Sequence, residues 1–143
     1  MTMPMNYVQA SQDFEAFMAD FMECAGLPTH HRAYHSIRAV LHVFRNHLAL
    51  GDALKFADVL PPVLRAIFVE GWLPDDNPEP FPDRQALYRE IGQIRKDHNL
   101  APETVIADAA GALRRHIDNP ALDRVLEKMP PGAANFWSAR PAD

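Results

Sequence analysis

The sequence predicts an all-α protein, and three observations support this fold class. Apolar residues recur at the i, i+3, i+4 spacing of a buried helix face through most of the chain. Hairpin dipeptides and sustained alternation, which indicate strands, are nearly absent. Leu60-Pro61-Pro62 returns 69 residues later as Met129-Pro130-Pro131, which indicates a duplicated unit. We expect about eight helices arranged as two tandem four-helix repeats in one compact domain.

The first two predicted helices belong to the first repeat. Ser11 is a candidate N-cap for the first helix, and Gly26 is its natural end. Pro28 and Thr29 open the second helix, which carries one broad apolar face and which Gly51 is expected to stop.

The first repeat then closes with two shorter helices. Apolar residues over 53–57 predict the third helix. Pro61 and Pro62 begin the fourth, because the first N–H groups of a helix lack partners within it and proline costs little there. Gly71 and Trp72 end the repeat.

The second repeat follows the same plan after a proline-rich segment. Asp83 is the candidate N-cap of its first helix, and Pro102 opens its second. Asn119, as N-cap before Pro120, begins its third helix. The second Pro-Pro pair, at 130–131, begins its last helix.

These elements divide the chain into five parts. Residues 1–10 are an N-terminal lead, 11–72 the first repeat, 73–82 a linker, 83–138 the second repeat, and 139–143 a tail. The linker holds four prolines, which prevent both a helix and a central strand.

The repeats align with two offsets. Over the first helix the offset is 73 residues, so Phe14, Met18, Phe21 and Leu27 match Leu87, Ile91, Ile94 and Leu100. At the end of the second helix the offset is 69, where Arg45-Asn46-His47 matches Arg114-Arg115-His116. The difference of four residues is close to one helical turn and keeps the apolar faces in phase.

Amino-acid composition limits the kinds of binding partner and the cellular compartment that we expect for this protein. The net charge is −5 and neither half is basic, so the sequence does not favour a nucleic-acid partner, although Arg114 and Arg115 are the residues that would contact phosphates. A lone cysteine, Cys24, fits a reducing compartment and is expected to be a small buried residue. No apolar run is long enough to span a membrane. We expect a cytoplasmic protein without a membrane partner.

Histidines concentrate in the second helix. At 100° per residue, His31, His35, Arg38, His42 and Arg45 fall within about 80° of one another, opposite the apolar face. Two interpretations remain open for this stripe. It is either a solvated or partner-facing polar surface, or its His31 and His35, at i and i+4, bind a transition metal. No acidic residue on the stripe completes a metal site, and His42 lies too far along the helix to join.

Two further features are candidates for structural or interaction roles. The repeated Arg-x-His at Arg45 and Arg114 falls in the last turn of a helix, where cations bond terminal carbonyls. Phe136 and Trp137 follow a run of small residues, so they either dock into the second repeat or stay exposed for a partner.

The chain resembles a bacterial family known as domain of unknown function 2267. The resemblance rests on Leu60-Pro61-Pro62-Val63-Leu64-Arg65, Glu70-Gly71-Trp72, the proline-spaced linker, and Met129-Pro130-Pro131 with Phe136-Trp137. It covers roughly residues 13–138 and implies a small, soluble, all-helical bacterial protein. It implies no reaction, cofactor or catalytic residue. At Gly132-Ala133-Ala134 the second repeat departs from the pattern, because small residues replace bulkier ones. We therefore expect its last helix to pack less well.

The sequence therefore favours a non-enzymatic, cytoplasmic module that acts through protein contacts, with no cofactor. Phosphate-binding glycine loops and nucleophile-elbow motifs are absent from it. Self-association or an unidentified protein partner would use the surface of His31, His35, Arg38, His42, Phe136 and Trp137. The alternatives are a metal- or small-molecule-binding protein using His31 and His35 or a cleft between the halves, and a helix-turn-helix-like DNA-binding module.

Overall fold

The computed structural model describes residues 2–94 and 101–138. Within these residues the chain forms nine α-helices and no strand, which confirms the all-α prediction. The helices are α1 (Met5–Val8), α2 (Ala10–Ala25), α3 (His30–Arg45), α4 (Leu50–Val59), α5 (Pro62–Val69), α6 (Arg84–Ile94), α7 (Val105–Arg114), α8 (Asn119–Glu127) and α9 (Ala133–Phe136). The predicted tail at 139–143 and the aligned Leu100 lie outside the described residues.

Local capping chemistry sets several helix ends at the expected residues. The Thr29 hydroxyl accepts a hydrogen bond from the Arg32 N–H at 3.1 Å and starts α3. The Asp83 carboxylate accepts one from the Ala86 N–H at 2.9 Å before α6. Gly26 ends α2 in the left-handed conformation, with φ of 66°, which favours a residue without a Cβ.

The N-terminal lead and the end of α3 differ from the prediction. The lead contains α1, and α2 begins after Gln9, so Ser11 lies in the first turn of α2 instead of capping it. Helix α3 ends at Arg45, five residues before α4, and Gly51 lies inside α4. Helix α4 itself packs against α5 and α8.

Two helix starts in the second half are also shifted. Asp118 caps α8 in place of Asn119, because its carboxylate accepts from the Ala121 N–H at 3.1 Å. Pro102 precedes α7 by a turn, in which the Val105 N–H donates to the Pro102 carbonyl at 3.0 Å.

The helices of the two halves pack crosswise. Helix α2 packs against α7 and α3 packs against α6, so the first helix of each half lies on the second helix of the other. The third helices, α4 and α8, pack against each other, while α5 contacts α3 and α9 contacts α7. The tandem-repeat arrangement stays a prediction, and this exchange of contacts is what a two-fold relation between the halves would produce.

An aromatic cluster joins the elements at the centre of the core. The Phe44 ring lies 4.7 Å from Phe56, 5.0 Å from Phe136 and 5.5 Å from Trp137, measured between centroids. Phe81, from the 73–82 segment, adds a ring at 5.4 Å. Burying each large apolar side chain contributes roughly 1.5–3 kcal/mol, so this cluster ties α3, α4, α9 and the linker together. None of the described helices combines the length and apolar character needed to cross a bilayer.

Candidate functional site

The polar stripe of α3 divides into an exposed and a buried part. His31 is exposed and His35 and Arg38 are half-buried, whereas His42 and Arg45 are buried. The Arg38 guanidinium lies 3.5 Å from the Glu70 carboxylate. Helix α5 covers His42 and Arg45, at the C-terminal end of α3. The stripe is therefore not one continuous surface.

His42 is a buried structural residue, and its assignment to an exposed interaction surface was wrong. Its side chain is 4% exposed, and its Nε2–H donates to the Ile67 carbonyl at 2.8 Å. Desolvation by burial lowers its pKa from 6.5 to about 4, so the ring is neutral at pH 7. The cause is the packing of α5 against this end of α3.

Arg45 caps α5, whereas the sequence predicted that it would bond the end of its own helix. Its Nη1 donates to the carbonyls of Phe68 and Glu70, each at 2.8 Å, and its guanidinium lies 5.7 Å from the Trp72 ring centroid. Burial lowers the pKa of Arg45 to about 10, which leaves it charged at pH 7. A cation at the negative end of a helix dipole stabilises that end.

Arg114 makes the corresponding contact in the second half. Its Nε donates to the Trp137 carbonyl at 2.6 Å, and Trp137 is separated from Phe68 by the same 69 residues that separate Arg114 from Arg45. Its Nη1 and Nη2 donate to Asn119 and Asp123. The repeated arginine therefore ties the last helix of each half to the second.

Phe136 and Trp137 are not exposed for a partner, and they dock into a core that both repeats share, since α9 packs on α7 and α8 while both rings contact the first repeat. They are 1% and 0% exposed. Both lie against Phe44, and Trp137 also stacks on Phe56 at 5.6 Å. This burial removes them from the surface that a partner can reach in the folded protein.

His31 and His35 lie side by side at the exposed end of α3. Their ring centroids are 4.4 Å apart in an edge-to-face arrangement, and Tyr34 lies 5.2 Å from His35. Within residues 2–94 and 101–138, no three His, Cys, Asp or Glu side chains are grouped to hold a metal ion. Metal binding by this pair stays a prediction.

The histidines that follow α3 and α7 bind the first helix of the opposite half. His47 Nε2 lies 2.9 Å from a carboxylate oxygen of Glu90 in α6, and its Nδ1 lies 2.8 Å from the Glu79 carbonyl. His116 Nε2 lies 3.0 Å from the Asp20 carboxylate in α2. These two contacts join the halves in both directions.

The Asp20 carboxylate also receives both arms of Arg115. Arg115 Nε and Nη2 donate to its two oxygens at 2.7 Å each, a bidentate pair. These bonds hold the pKa of Asp20 below 3.8. The two arginines assigned to phosphates in the DNA-binding alternative, Arg114 and Arg115, therefore both engage carboxylates of the chain itself.

Cys24 is exposed, which corrects the expectation of a buried thiol. Its sulfur nevertheless lies against α7, 3.5 Å from the Asp108 carbonyl. This partial desolvation, followed by the Asp108 charge, raises the pKa of the thiol. The neutral thiol that results is a weak nucleophile at pH 7.

An apolar pocket of about 250 Å³ opens between α2 and α5. Helix α2 contributes Ala10, Phe14, Ala16 and Phe17, and the start of α5 contributes Pro61, Val63 and Leu64. Its polar groups are Asp13 and His116, the latter from the other half. The Phe17 and His116 rings meet edge to face at 5.9 Å. A mostly apolar concavity with few polar groups is typical of a binding site.

The N-terminal segment, which continues into the pocket residue Ala10, carries exposed apolar side chains. Met3, Met5, Tyr7 and Val8 are between 47% and 66% exposed. The Tyr7 hydroxyl accepts a hydrogen bond from Arg65 at 3.2 Å, directly after the pocket residue Leu64, and α2 continues from this segment into the pocket residue Ala10. We call Met3–Val8 together with the pocket the N-terminal apolar surface.

This surface was missed by reasoning from the sequence, although one signal pointed to it. The last helix of the first repeat begins with Val63 where the second has Gly132. That difference was interpreted as weak packing of the second copy. In the structure Val63 lines an open pocket, whereas the Phe81 side chain lies against Gly132.

Comparison with known proteins identifies the family of this chain and assigns it no reaction. None of the curated proteins matches this chain. The family model described as uncharacterized conserved protein (DUF2267) matches residues 14–136, nearly the whole of the chain. The match begins at Phe14 inside α2 and includes α3 to α9 and both capping arginines. It leaves out α1, the apolar residues of the lead and two pocket residues, Ala10 and Asp13. The chain therefore belongs to the DUF2267 family.

Proposed function

We propose that this protein is a non-enzymatic binding module that recognises a protein partner through the N-terminal apolar surface. One observation carries the proposal: four exposed apolar side chains lie on the segment that leads directly into Ala10 of an apolar pocket and that Arg65 bonds through Tyr7. Burial of apolar area contributes about 25 cal/mol per Å², so a partner that covers both features gains binding energy from each.

The same surface offers groups that would orient a partner. The exposed Asp13 carboxylate at the pocket can accept a hydrogen bond from a partner. Arg65 donates to Tyr7, Ala57 and Leu60 and so holds the N-terminal segment beside the pocket. Protein interfaces commonly combine an apolar centre with such a polar rim. A protein surface matches this combination better than a small molecule does, because the apolar residues extend outside the pocket along Met3–Val8.

The histidine and arginine side chains that could take part in a reaction are bonded within the protein, which supports a binding function over a catalytic one. His42, Arg45 and Arg114 bond backbone carbonyls, and His47 and His116 contact carboxylates across the halves. Catalytic acids, bases and nucleophiles have to reach a substrate in an accessible cleft. These five side chains instead connect one helix to another.

We also place the protein in the cytoplasm. Its lone thiol, Cys24, is exposed and unable to form a disulfide within the chain. Exposed unpaired thiols suit reducing compartments, where they stay reduced.

The test of the partner proposal uses two pairs of exposed apolar residues. The protein is immobilised and the bound proteins from a lysate of its source are identified, after which each is purified and its affinity measured directly. Sedimentation of the protein alone tests whether the partner is a second copy. A Met5→Ser/Val8→Ser variant should weaken the complex at least tenfold.

The matched control uses two residues of α4 that do not belong to the N-terminal apolar surface. Leu50 and Leu54, one turn apart on α4, are 49% and 53% exposed, so Leu50→Ser/Leu54→Ser removes a similar apolar area. The control should leave the affinity unchanged. If every measured complex is insensitive to the Met5/Val8 change, or no complex forms, the proposal is wrong.

Transition-metal binding by His31 and His35 is the second candidate function. Their contact at 4.4 Å on adjacent turns favours it, because such pairs present two imidazoles to one ion. Equilibrium dialysis against zinc, nickel and cobalt should give stoichiometric uptake that His35→Ala abolishes and His30→Ala preserves. Uptake that His35→Ala leaves intact would refute this assignment.

A further inference from the structure

The pocket between α2 and α5 has a counterpart in the second half, and an aromatic ring fills that counterpart. Under the 69-residue offset, the pocket residues His116 and Val63 correspond to His47 and Gly132. The Phe81 side chain lies against both of these positions. The two halves thus show one site open and one site occupied.

The Phe81 side chain packs closely against its neighbours. Its ring centroid lies 5.0 Å from that of His47 and 5.4 Å from that of Phe44. A Cβ atom on Gly132 would stand 2.6 Å from the Phe81 Cβ, closer than any ordinary contact. The absence of a side chain at Gly132 therefore makes room for Phe81.

Among the described residues of the first half, the position that corresponds to Phe81 carries an aliphatic side chain. The 73-residue offset of the first helices puts Val8 at the place of Phe81, and Val8 is 61% exposed. We infer that the open pocket takes an aromatic side chain of the partner protein, in the place that Phe81 takes in the second half. This inference rests on the proposed function and names the group that anchors the partner.

The size and walls of the pocket suit one aromatic ring. A cavity of about 150 Å³ holds benzene, so the volume of about 250 Å³ accepts a phenol or indole ring. Phe14, Phe17 and His116 provide aromatic walls, against which a ring gains edge-to-face contacts. Asp13 provides an acceptor for the hydroxyl of a tyrosine or the N–H of a tryptophan.

The experiment uses phenol as the probe of the pocket and cyclohexanol as a probe of similar size with the same hydroxyl. Each is titrated into ¹⁵N-labelled protein, and amide shifts are followed by NMR. Phenol should give saturable shifts at Phe14, Phe17 and Leu64, with an affinity about twofold or more above that of cyclohexanol. Equal affinities, or phenol shifts that do not saturate, would overturn the inference.

Two matched substitutions on α2 locate the binding. Ala16 lines the pocket and Ala19 does not, and both are exposed. Ala16→Trp should fill the pocket and abolish the phenol shifts, whereas Ala19→Trp should preserve them. Retention of the shifts in Ala16→Trp would show that phenol binds elsewhere and would refute the inference.

A third variant opens the filled site. Phe81→Ala should create a second phenol site, detected by new shifts at His47 and Gly132. If this variant folds and binds no second phenol, the correspondence between the sites is wrong. If it does not fold, the Ala16 and Ala19 pair still decides the first site.

The outcomes distinguish failure of the aromatic anchor in the pocket from failure of the proposed partner binding. Phenol binding in the pocket together with the absence of any partner would refute the function and leave the ring site standing. A partner complex that depends on Met5 and Val8 but not on Ala16→Trp would support the function and refute the anchor. Loss of the partner complex in Ala16→Trp, with retention in Ala19→Trp, is the result we expect.

Discussion

At the scale of single residues, Gly132 is constrained in both conformation and volume. Its φ of 97° lies in the region that L side chains rarely adopt, and its missing Cβ faces Phe81 at 2.6 Å. We expect Gly132→Ala to lower the free energy of unfolding by about 2–4 kcal/mol, through backbone strain and overpacking together. Urea denaturation measures this loss.

Gly92 provides the matched control for this substitution. It lies inside α6, and a Cβ there would meet no atom within 4 Å. Gly92→Ala should be neutral or stabilise by up to about 1 kcal/mol, because alanine favours a helix interior. Equal stability of the two variants would contradict the account of Gly132.

The residues of the α3 stripe show how far the sequence predicts a site. Helical spacing puts His42 and Arg45 on the side opposite the apolar face of α3, and from that position exposure was expected. Their burial depends on α5, whose last carbonyls, at Ile67 and Phe68, come more than twenty residues later in the chain. Periodicity describes one helix at a time, so it does not predict which element covers its polar side.

At the scale of elements, Arg45 is expected to hold the end of α5 on α3. Arg45→Met keeps much of the apolar stem and removes two charged hydrogen bonds, to Phe68 and Glu70. The loss should be about 2–3 kcal/mol, since the buried Phe68 carbonyl and the part-buried Glu70 carbonyl lose their charged donor. Arg38→Met, which removes a more exposed ion pair with Glu70 at 3.5 Å, should cost less than about 1 kcal/mol.

Chemical denaturation of the two arginine variants measures both effects. Hydrogen exchange of the amides in α5 adds a local test, because loss of the cap should speed exchange there before the rest of the core. Similar stabilities for Arg45→Met and Arg38→Met would mean that the Arg45 contacts do not stabilise α5.

The helices themselves were largely predictable, and the packing of the last one was not. Proline pairs, the Thr29 and Asp83 caps, and Gly26 act within a few residues, so they set helix ends wherever the helix lies. The small residues at 132–134 suggested poor packing of α9. Phe81, some fifty residues earlier, fills that space and leaves Phe136 buried.

At the scale of the whole molecule, the halves are joined by reciprocal contacts. His47 reaches Glu90 in α6, and His116 reaches Asp20 in α2, so the second helix of each half is tied to the first helix of the other. Duplication predicts two similar units but leaves open whether they stand side by side or interlock. Because the halves pack crosswise, we expect the loss of either contact to destabilise both halves.

Acid stability of the whole fold is expected to depend on His42. Its pKa is about 4 in the folded protein, below the 6.5 of an accessible histidine, because burial disfavours the charged ring. Between these values the unfolded chain binds a proton that the folded chain excludes, so stability falls as pH falls. From pH 7 to pH 5 this single group should remove about 2 kcal/mol from the free energy of unfolding.

Asp20 acts in a lower pH range and is therefore separable from His42. Its pKa is held below 3.8 by Arg115, so its stabilising contribution is present above 3.8 and is lost only as pH falls through the lowered value. Urea denaturation at pH 7 and pH 5 thus isolates the histidines. His42→Gln, whose amide can donate to the Ile67 carbonyl, should reduce the loss between these pH values by about 2 kcal/mol. The exposed His30→Gln should leave the loss as in the wild type, and an equal loss in both variants would show that another group carries the pH dependence.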